Sequence, residues 1–489
     1  MSIDQGTTSS RVILIDHAGS LVSQASVEFP QIFPHPAWVE HDPNQIWNSV
    51  QQAAEKVLSQ SKATREDIMA IGITNQRETV VAFRKSTGQI LHNAIVWQCR
   101  RTTKMCETLR PKWAKKIKSK TGLILDPYFS ATKMRWLIEN VKEVKQALKD
   151  KDLGFGTIDT FLMWKLSKGK IFATDVSNAS RTMLMNLKTC QWDSELLKLF
   201  KVPLEALPEI KSSSGLFGVT TDHPFISATT PITGVAGDQQ AALFGQACFQ
   251  AGESKCTFGT GSFILMNSAD KILNSKSGLL TTVAWKIGNQ KTQYALEGGA
   301  FICGAAVGWL RDGLGIIKKS SEVEELANQV QDSNGVEFVP ALAGLGAPHW
   351  KPEARGEITG LTRGSTKAHI ARATLEALAL QNADILKAME KDLSKKIKIV
   401  RVDGKASENN LLMQLQADYL AAQVDRPKLV ETTAMGAGYL AGLGCGHWKN
   451  LNAIKGIWQK DRSFNASLPK KELQQRLARW KKVIEKAKR

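Results

Sequence analysis

The sequence predicts an α/β protein built from two duplicated domains around a central cleft, and three observations predict it. The first is length: 489 residues exceed what one hydrophobic core organises and suffice for two ample domains. The second is the stretch DQGTTSSR, Asp4 to Arg11, followed at once by Val12-Ile13-Leu14-Ile15, an apolar run of strand length and β-branched composition. The third is its echo in the second half, TFGTGSFILMNS, Thr257 to Ser268, where Gly259-Thr260-Gly261-Ser262 precedes the apolar run Phe263 to Met266. Gly6 lets the backbone turn sharply and approach a ligand, while Thr7, Thr8, Ser9 and nearby N–H groups supply donors for phosphate oxygens. Asp4 is an acceptor beside these donors, placed to hold hydrated Mg²⁺. Alone, the eight residues read as an ordinary polar turn; the repeat turns the reading to a pair of phosphate loops facing each other.

Such a duplicated architecture resembles the actin, hexokinase and sugar-kinase superfamily, whose RNase H-like domains are paired around a cleft. Composition agrees with a soluble enzyme. No apolar run approaches a membrane span, and the N-terminus lacks the basic-then-apolar plan of a secretion signal, so no integral membrane segment is expected. The seven cysteines are scattered without a C-x-x-C pair, which points to a reducing, cytoplasmic setting. A formal charge of +19 raises nucleic acid or anionic membrane as partners. The lysines and arginines are dispersed and no nucleic-acid motif accompanies them, so no nucleic-acid partner is expected. The densest basic cluster is the terminal PKKELQQRLARWKKVIEKAKR, where Leu473, Leu477, Trp480 and Ile484 share one helical face and predict a helix packed on its own domain.

Along the chain, only Met1, Ser2 and Ile3 precede Asp4, short for a first buried strand, so some upstream sequence is expected to be missing. In HDPNQIWNSVQQAAEKVL, Asp42 is the expected N-cap, Pro43 the first helical residue, and Ile46, Val50, Ala53 and Val57 the buried face. IMAIGIT, Ile68 to Thr74, reads as a buried strand ending in Asn75-Gln76-Arg77-Glu78, followed by a hairpin whose turn is Lys85-Ser86-Thr87-Gly88. Polar groups just beyond a buried strand are where open α/β sheets place ligands. Arg77 brings a fork of donors and Glu78 brings acceptors, a pair suited to adjacent hydroxyls or to a plain surface ion pair. NAIVW places Trp97 at a comparable strand end, suited to pack on a carbon skeleton. GVAGDQQAALFG ends an apolar run at Gly237 and opens a helix at Asp238, an N-cap or a base.

YFSATKMRWLIEN, Tyr128 to Asn140, and GEITGLTRGSTKAHIARATLE, Gly356 to Glu376, resemble the paired signatures of the FGGY carbohydrate kinases. The strings PAWVEHDP, GITNQRET, NAIVWQCRRT, TDVSNASRTML, AGDQQAALFGQ and GLLTT, with DQGTTSSR, extend the resemblance from Asp4 to about residue 450 and tie it to the members that phosphorylate glycerol. It implies ATP-dependent phosphorylation of glycerol to sn-glycerol 3-phosphate, feeding glycerol catabolism and glycerolipid synthesis, with ATP and Mg²⁺ required. By resemblance, Arg77, Glu78, Trp97, Tyr128, Asp238, Gln239 and Phe263 form the glycerol pocket, and Asp238 is the general base. Thr7, Thr8, Ser9, Arg11 and Thr260 cradle the phosphates, with Mg²⁺ near Asp4. Residues 1–246 are expected to bind glycerol and phosphate, and residues 247–489 to bind the nucleotide. There Gly304 lets the helix of EGGAFICGAAVGWLRD lie close to it, while Asp403, Gly404 and Asn409 of RVDGKASENN shape its loop. The family also implies a homo-oligomer, a dimer or tetramer.

Two residues depart from the pattern. Lys405 replaces the second glycine of the D-G-G turn, and Gly308 stands where many bacterial relatives carry glutamine. A left-handed backbone at Lys405 would cost about 1–2 kcal/mol, roughly tenfold in binding. The expectation is a kinase with weakened ATP affinity; a kinase for a related polyol or sugar and a catalytically impaired regulatory homologue are the alternatives. HPFISATT, His223 to Thr230, lacks the Gly-Gly-x-Arg that accompanies fructose 1,6-bisphosphate control in some bacterial relatives.

Overall fold

The structure is a computed structural model describing residues 1–489. Strand Ser2–Gln5 turns through Gly6 into Ser9–Ile15, its antiparallel partner, and pairs in parallel on its other edge with Ile71–Asn75. Pro231–Gly237 adds a further parallel strand beside Ile71–Asn75. In the second half, Ser254–Phe258 turns into antiparallel Ser262–Ala269 and lies parallel to Ile399–Asp403, with Gln423–Pro427 parallel beyond it. The same hairpin with the same two parallel neighbours therefore occurs twice, and the two predicted loops head two equivalent sheets. A smaller sheet of Glu40–His41, Ile90–Ile95, Val80–Arg84 and Leu153–Gly156 is attached to the first.

The halves are locked by exchange of helices. Asp238–Gly245 follows the last parallel strand of the first sheet, yet its Phe244 packs in one core with Leu265, Trp285 and Ala295 of the second. Conversely, Thr432–Gly444 from the second half lies on the first sheet. There a Cβ on Gly72 would stand 2.2 Å from the Ala437 carbonyl oxygen, and one on Gly234 would stand 2.3 Å from the Ala441 nitrogen. Where the two helices cross, Gly436 and Gly245 bring backbone to backbone: added Cβ atoms would fall 1.9 Å from the Ala241 oxygen and 2.0 Å from the Thr432 oxygen. A division at residue 246 thus separates the sheets but not the cores.

Local expectations hold with small shifts. Asp42 accepts from the Asn44 amide at 2.8 Å and Pro43 opens the helix Pro43–Ser61. The predicted strand from Ile68 begins only at Ile71, because Arg65–Asp67 form a 3-10 turn capped by Thr64 and the chain enters the sheet after it. Beside it, the Met1 amino group donates to the Ala70 carbonyl at 3.0 Å and the Gly72 amide to the Met1 carbonyl at 3.0 Å. The terminal helix Lys470–Ala487 buries Trp480 and Ile484 on its own domain, Leu473 and Leu477 pack on the same core, and Trp480 Nε1 donates to Asp384 at 2.7 Å. All seven cysteines are free, and no helix is long and apolar enough to cross a membrane.

Gly436→Ala is expected to force the crossing helices apart at a cost of about 1–3 kcal/mol. By contrast Gly456→Ala, in the helix Leu451–Ile457 where an added Cβ meets nothing within 4 Å, should stabilise by up to about 1 kcal/mol. Thermal unfolding of the two variants checks both signs.

Candidate active site

The first predicted phosphate loop is closed by the Gly6 amide on the Ser9 carbonyl at 2.9 Å, which leaves the Thr7 and Thr8 amides without an acceptor in the chain. Its mirror is closed by the Gly259 amide on the Gly261 carbonyl at 2.9 Å, again leaving the Thr260 amide free. Amides left open in a tight turn form an anion cradle. Behind the first loop, Gln76 Nε2 donates to Gln5 Oε1 at 3.0 Å and to the Gly6 carbonyl at 3.1 Å, with His41 Nδ1 at 3.3 Å. Burial pushes His41 down to about 4, so it is a neutral hydrogen-bonding group here. The second loop is held by the helix Gly304–Asp312: the Cys303 and Ala305 amides donate to the Thr260 carbonyl at 2.7 and 3.1 Å.

Behind these loops lies a buried charge network. Glu297, in strand Gln293–Ala300, takes Arg77 in a bidentate pair, Nη1 to Oε2 at 2.7 Å and Nη2 to Oε1 at 2.9 Å. Its Oε1 also accepts from Arg181 Nη2 at 2.9 Å, while Arg181 Nε donates to Glu78 Oε1 at 2.7 Å. Arg77 then presents its Nε to Asp238 Oδ1 at 3.1 Å. Gly237 makes room for this, since a Cβ there would stand 2.7 Å from the Arg77 side-chain carbons. Glu78 sits in the left-handed region at φ +61°, with its carbonyl held by Ser130 Oγ at 2.9 Å. Such backbone persists only where neighbours over-determine it; Glu78 Oε1 is taken by Arg181, while Oε2 makes no hydrogen bond in the chain. Burial alone would raise Glu297, but Arg181 and Arg77 outweigh it and hold it at about 2.

Aromatic rings close the remaining side. Trp97 meets Tyr128 at 5.5 Å between ring centroids and Phe263 at 6.4 Å, both edge to face. Trp97 Nε1 donates to Thr7 Oγ1 at 3.0 Å, joining this wall to the phosphate loop. Asp238 is the first helical residue of Asp238–Gly245 and Gly237 its N-cap, so the capping role considered for Asp238 falls to the residue before it. Its Oδ1 accepts from the Gln239 amide at 2.7 Å and its side chain remains 31% exposed, available to a ligand. Asp4 lies nearby with no hydrogen bond to its carboxylate; burial pushes it up to about 7, Arg11 opposing and Asp238 adding to the shift. Arg11 is paired with Glu431, just before the helix Thr432–Gly444, an ion pair between the two halves.

Among the residues predicted to bind the nucleotide, an added Cβ on Gly304 would stand 2.8 Å from the Gly259 carbonyl oxygen, so this glycine lets the helix touch the second hairpin loop. A Cβ on Gly308 meets nothing within 4 Å. Asn409 Oδ1 caps the helix Asn410–Leu420 through the Leu412 amide at 2.8 Å. The residue that must be glycine is Gly404, at φ +84° with an added Cβ 2.6 Å from the Phe258 carbonyl oxygen. Lys405 is not left-handed: it begins the 3-10 turn Lys405–Glu408, and its exposed ammonium rests on Glu408 at 2.9 Å. The steric handicap expected there is absent.

Sequence reasoning missed Arg181, Glu297 and Lys255, each buried and each touching a predicted site residue. A signal was present, since a charge inside an apolar strand such as Tyr-Ala-Leu-Glu297 must be paired when buried. Its partner was not legible, because Arg77 lies 220 residues away.

The chain belongs to the FGGY family of carbohydrate kinases: the family's N-terminal domain matches residues 1–245 and its C-terminal domain residues 254–445. Among named relatives, the glycerol kinase of Bdellovibrio bacteriovorus is 59% identical, covering 99% of this chain and 98% of its own. Glycerol kinase 2 of Thermotoga maritima is 52% identical, covering 99% and 97%. The crystal structure of Plasmodium falciparum glycerol kinase with ADP superposes with a TM-score of 0.93 at 36% identity, covering 99% of this chain and 97% of that one.

Glu297→Gln should leave two buried guanidiniums short of a counter-charge and cost about 3–5 kcal/mol of stability, measured by denaturant unfolding. For Asp4, a folded pKa near 7 lies above the ordinary value of 3.8, so the folded state holds the proton more tightly than the unfolded chain. The parent should therefore lose stability relative to Asp4→Asn as pH rises from about 4 to about 7, and no further above it. Thermal midpoints across that range, without Mg²⁺, test the sign.

Proposed function

We propose that the protein transfers the γ-phosphoryl group of ATP to a primary hydroxyl of glycerol, giving sn-glycerol 3-phosphate and ADP. The observation that carries this reading is the joining of a small polyol cradle to a phosphate loop, through Trp97 and Thr7 on one side and Arg77 and Asp238 on the other. Similarity to glycerol kinases along nearly the whole chain supports the same reading. Arg77, Glu78, Tyr128, Asp238 and Gln239 serve the three hydroxyls, and Trp97 and Phe263 pack on the C–H faces. An aromatic wall this close restricts the cradle to short polyols.

In the transfer, Asp238 is held by the Arg77 guanidinium and the Gln239 amide while its carboxylate accepts the proton of the attacking hydroxyl. The hydroxyl oxygen forms a bond to the γ-phosphorus, and the bond to the β–γ bridging oxygen breaks, its electron pair leaving with ADP. Open amides at Thr7, Thr8 and Thr260, with the Arg11 guanidinium, stabilise charge on the moving group. Mg²⁺ would neutralise phosphate charge, and Asp4, a half-buried carboxylate with no hydrogen bond in the chain, fits a cation held partly through water. Residues 1–246 supply most of the glycerol and phosphate contacts and residues 247–489 the nucleotide bed at Gly304, Gly308, Gly404, Lys405 and Asn409. Phe263, Glu297 and Lys255 reach the glycerol side from the second half. A cytoplasmic setting, supported by the free thiols, and a homo-oligomeric assembly complete the proposal.

Glycerol-dependent ADP release tests it. Asp238→Asn should lower kcat by about 10²–10⁴ with little change in either KM. Lys405→Gly, an exposed change away from any strained backbone, should leave the ATP KM within about twofold.

A further inference from the structure

Lys255 is a buried cation with no carboxylate partner. It lies in strand Ser254–Phe258, is fully enclosed, and gives its protons to three neutral acceptors: Gln239 Oε1, Thr257 Oγ1 at 2.8 Å and the Phe263 carbonyl at 3.4 Å. Burying an ammonium without an ion pair is costly. All three acceptors lie in or beside the polyol cradle. An amide oxygen that accepts from an ammonium is committed, so the amide nitrogen must face the other way. Gln239 Nε2 indeed makes no hydrogen bond within the chain, although the residue is only 8% exposed.

We propose that Lys255 is a positioning residue for polyol recognition, turning Gln239 so that it offers N–H donors rather than its carbonyl to the substrate. Thr257 and the Phe263 carbonyl hold the ammonium in place. The cradle then presents donors at Arg77 and Gln239 against acceptors at Glu78 and Asp238, so a hydroxyl can accept from one side and donate to the other. Without Lys255 the Gln239 amide is free to flip, and its carbonyl joins a cradle already rich in acceptors. Burial lowers the Lys255 pKa against the pull of Asp403 and Asp238, yet the ammonium is the form that three acceptors select.

This inference rests on the glycerol reading, and steady-state kinetics of the full chain separate the two. Lys255→Met and Gln239→Ala are each expected to raise the glycerol KM about tenfold or more, with the ATP KM within about twofold. The double variant should be no worse than Gln239→Ala, because the lysine acts through the glutamine. Lys255→Arg should recover part of the loss. Additive losses in the double variant, an unchanged glycerol KM in Lys255→Met, or an effect confined to ATP would overturn the proposal. If Lys255→Met does not fold, Gln239→Glu replaces the donor by an acceptor beside an intact lysine; an unchanged glycerol KM there overturns it equally. A parent inactive on glycerol would sink the functional reading and this inference with it, whereas an active parent with indifferent variants would sink the inference alone.

Discussion

The carboxylate of Glu297 is the contact on which the site depends. Two guanidiniums, Arg77 and Arg181, are buried in the first half, and this one acidic group from the second half meets both. With Glu78 it makes two carboxylates for two guanidiniums, so the buried charge balances. A buried ion pair of this kind adds little net stability over an apolar isostere, because desolvation consumes most of the attraction. What it supplies is direction: Arg77, gripped at both terminal nitrogens, can turn only its Nε toward Asp238.

That arrangement places the proposed site at the seam of the duplication. Each half contributes a glycine-containing hairpin, and each sends a helix into the core of the other, so neither half forms the site alone. The glycines at the helix crossing let two backbones touch, which sets the distance between the sheets and hence between the loops. Because Glu297 and Phe263 reach Arg77 and Trp97 from the second half, movement of one half on the other would alter the proposed polyol cradle and the loops together.

Much of this was legible in the chain. The two glycine-containing hairpins, the Asp42 cap and the amphipathic terminal helix are local patterns, and local patterns survive folding. The site residues carried over by resemblance converge as a group: Arg77 touches Asp238, Trp97 touches Thr7, and Trp97, Tyr128 and Phe263 form one wall. The reading of Lys405 failed for an instructive reason. A glycine missing from a motif suggests strain, but the dihedral that demands glycine belongs to Gly404, and a one-residue difference in where the chain turns is not visible in a string of letters. Arg181, Glu297 and Lys255 were passed over because a lone charge in an apolar stretch has no meaning until its partner is known.

The sequence by itself determined the α/β class, the duplication, the two glycine-containing hairpins and the membership of a carbohydrate kinase family, since each is written in spacing and composition over short windows. Only the tertiary structure decided which charges are buried and against what, that helix 432–444 packs on the first sheet, and that the Gln239 amide oxygen is held by Lys255. Those facts join residues up to several hundred positions apart. They depend on how two sheets are stacked and how far apart their loops stand, quantities that no single stretch of chain encodes.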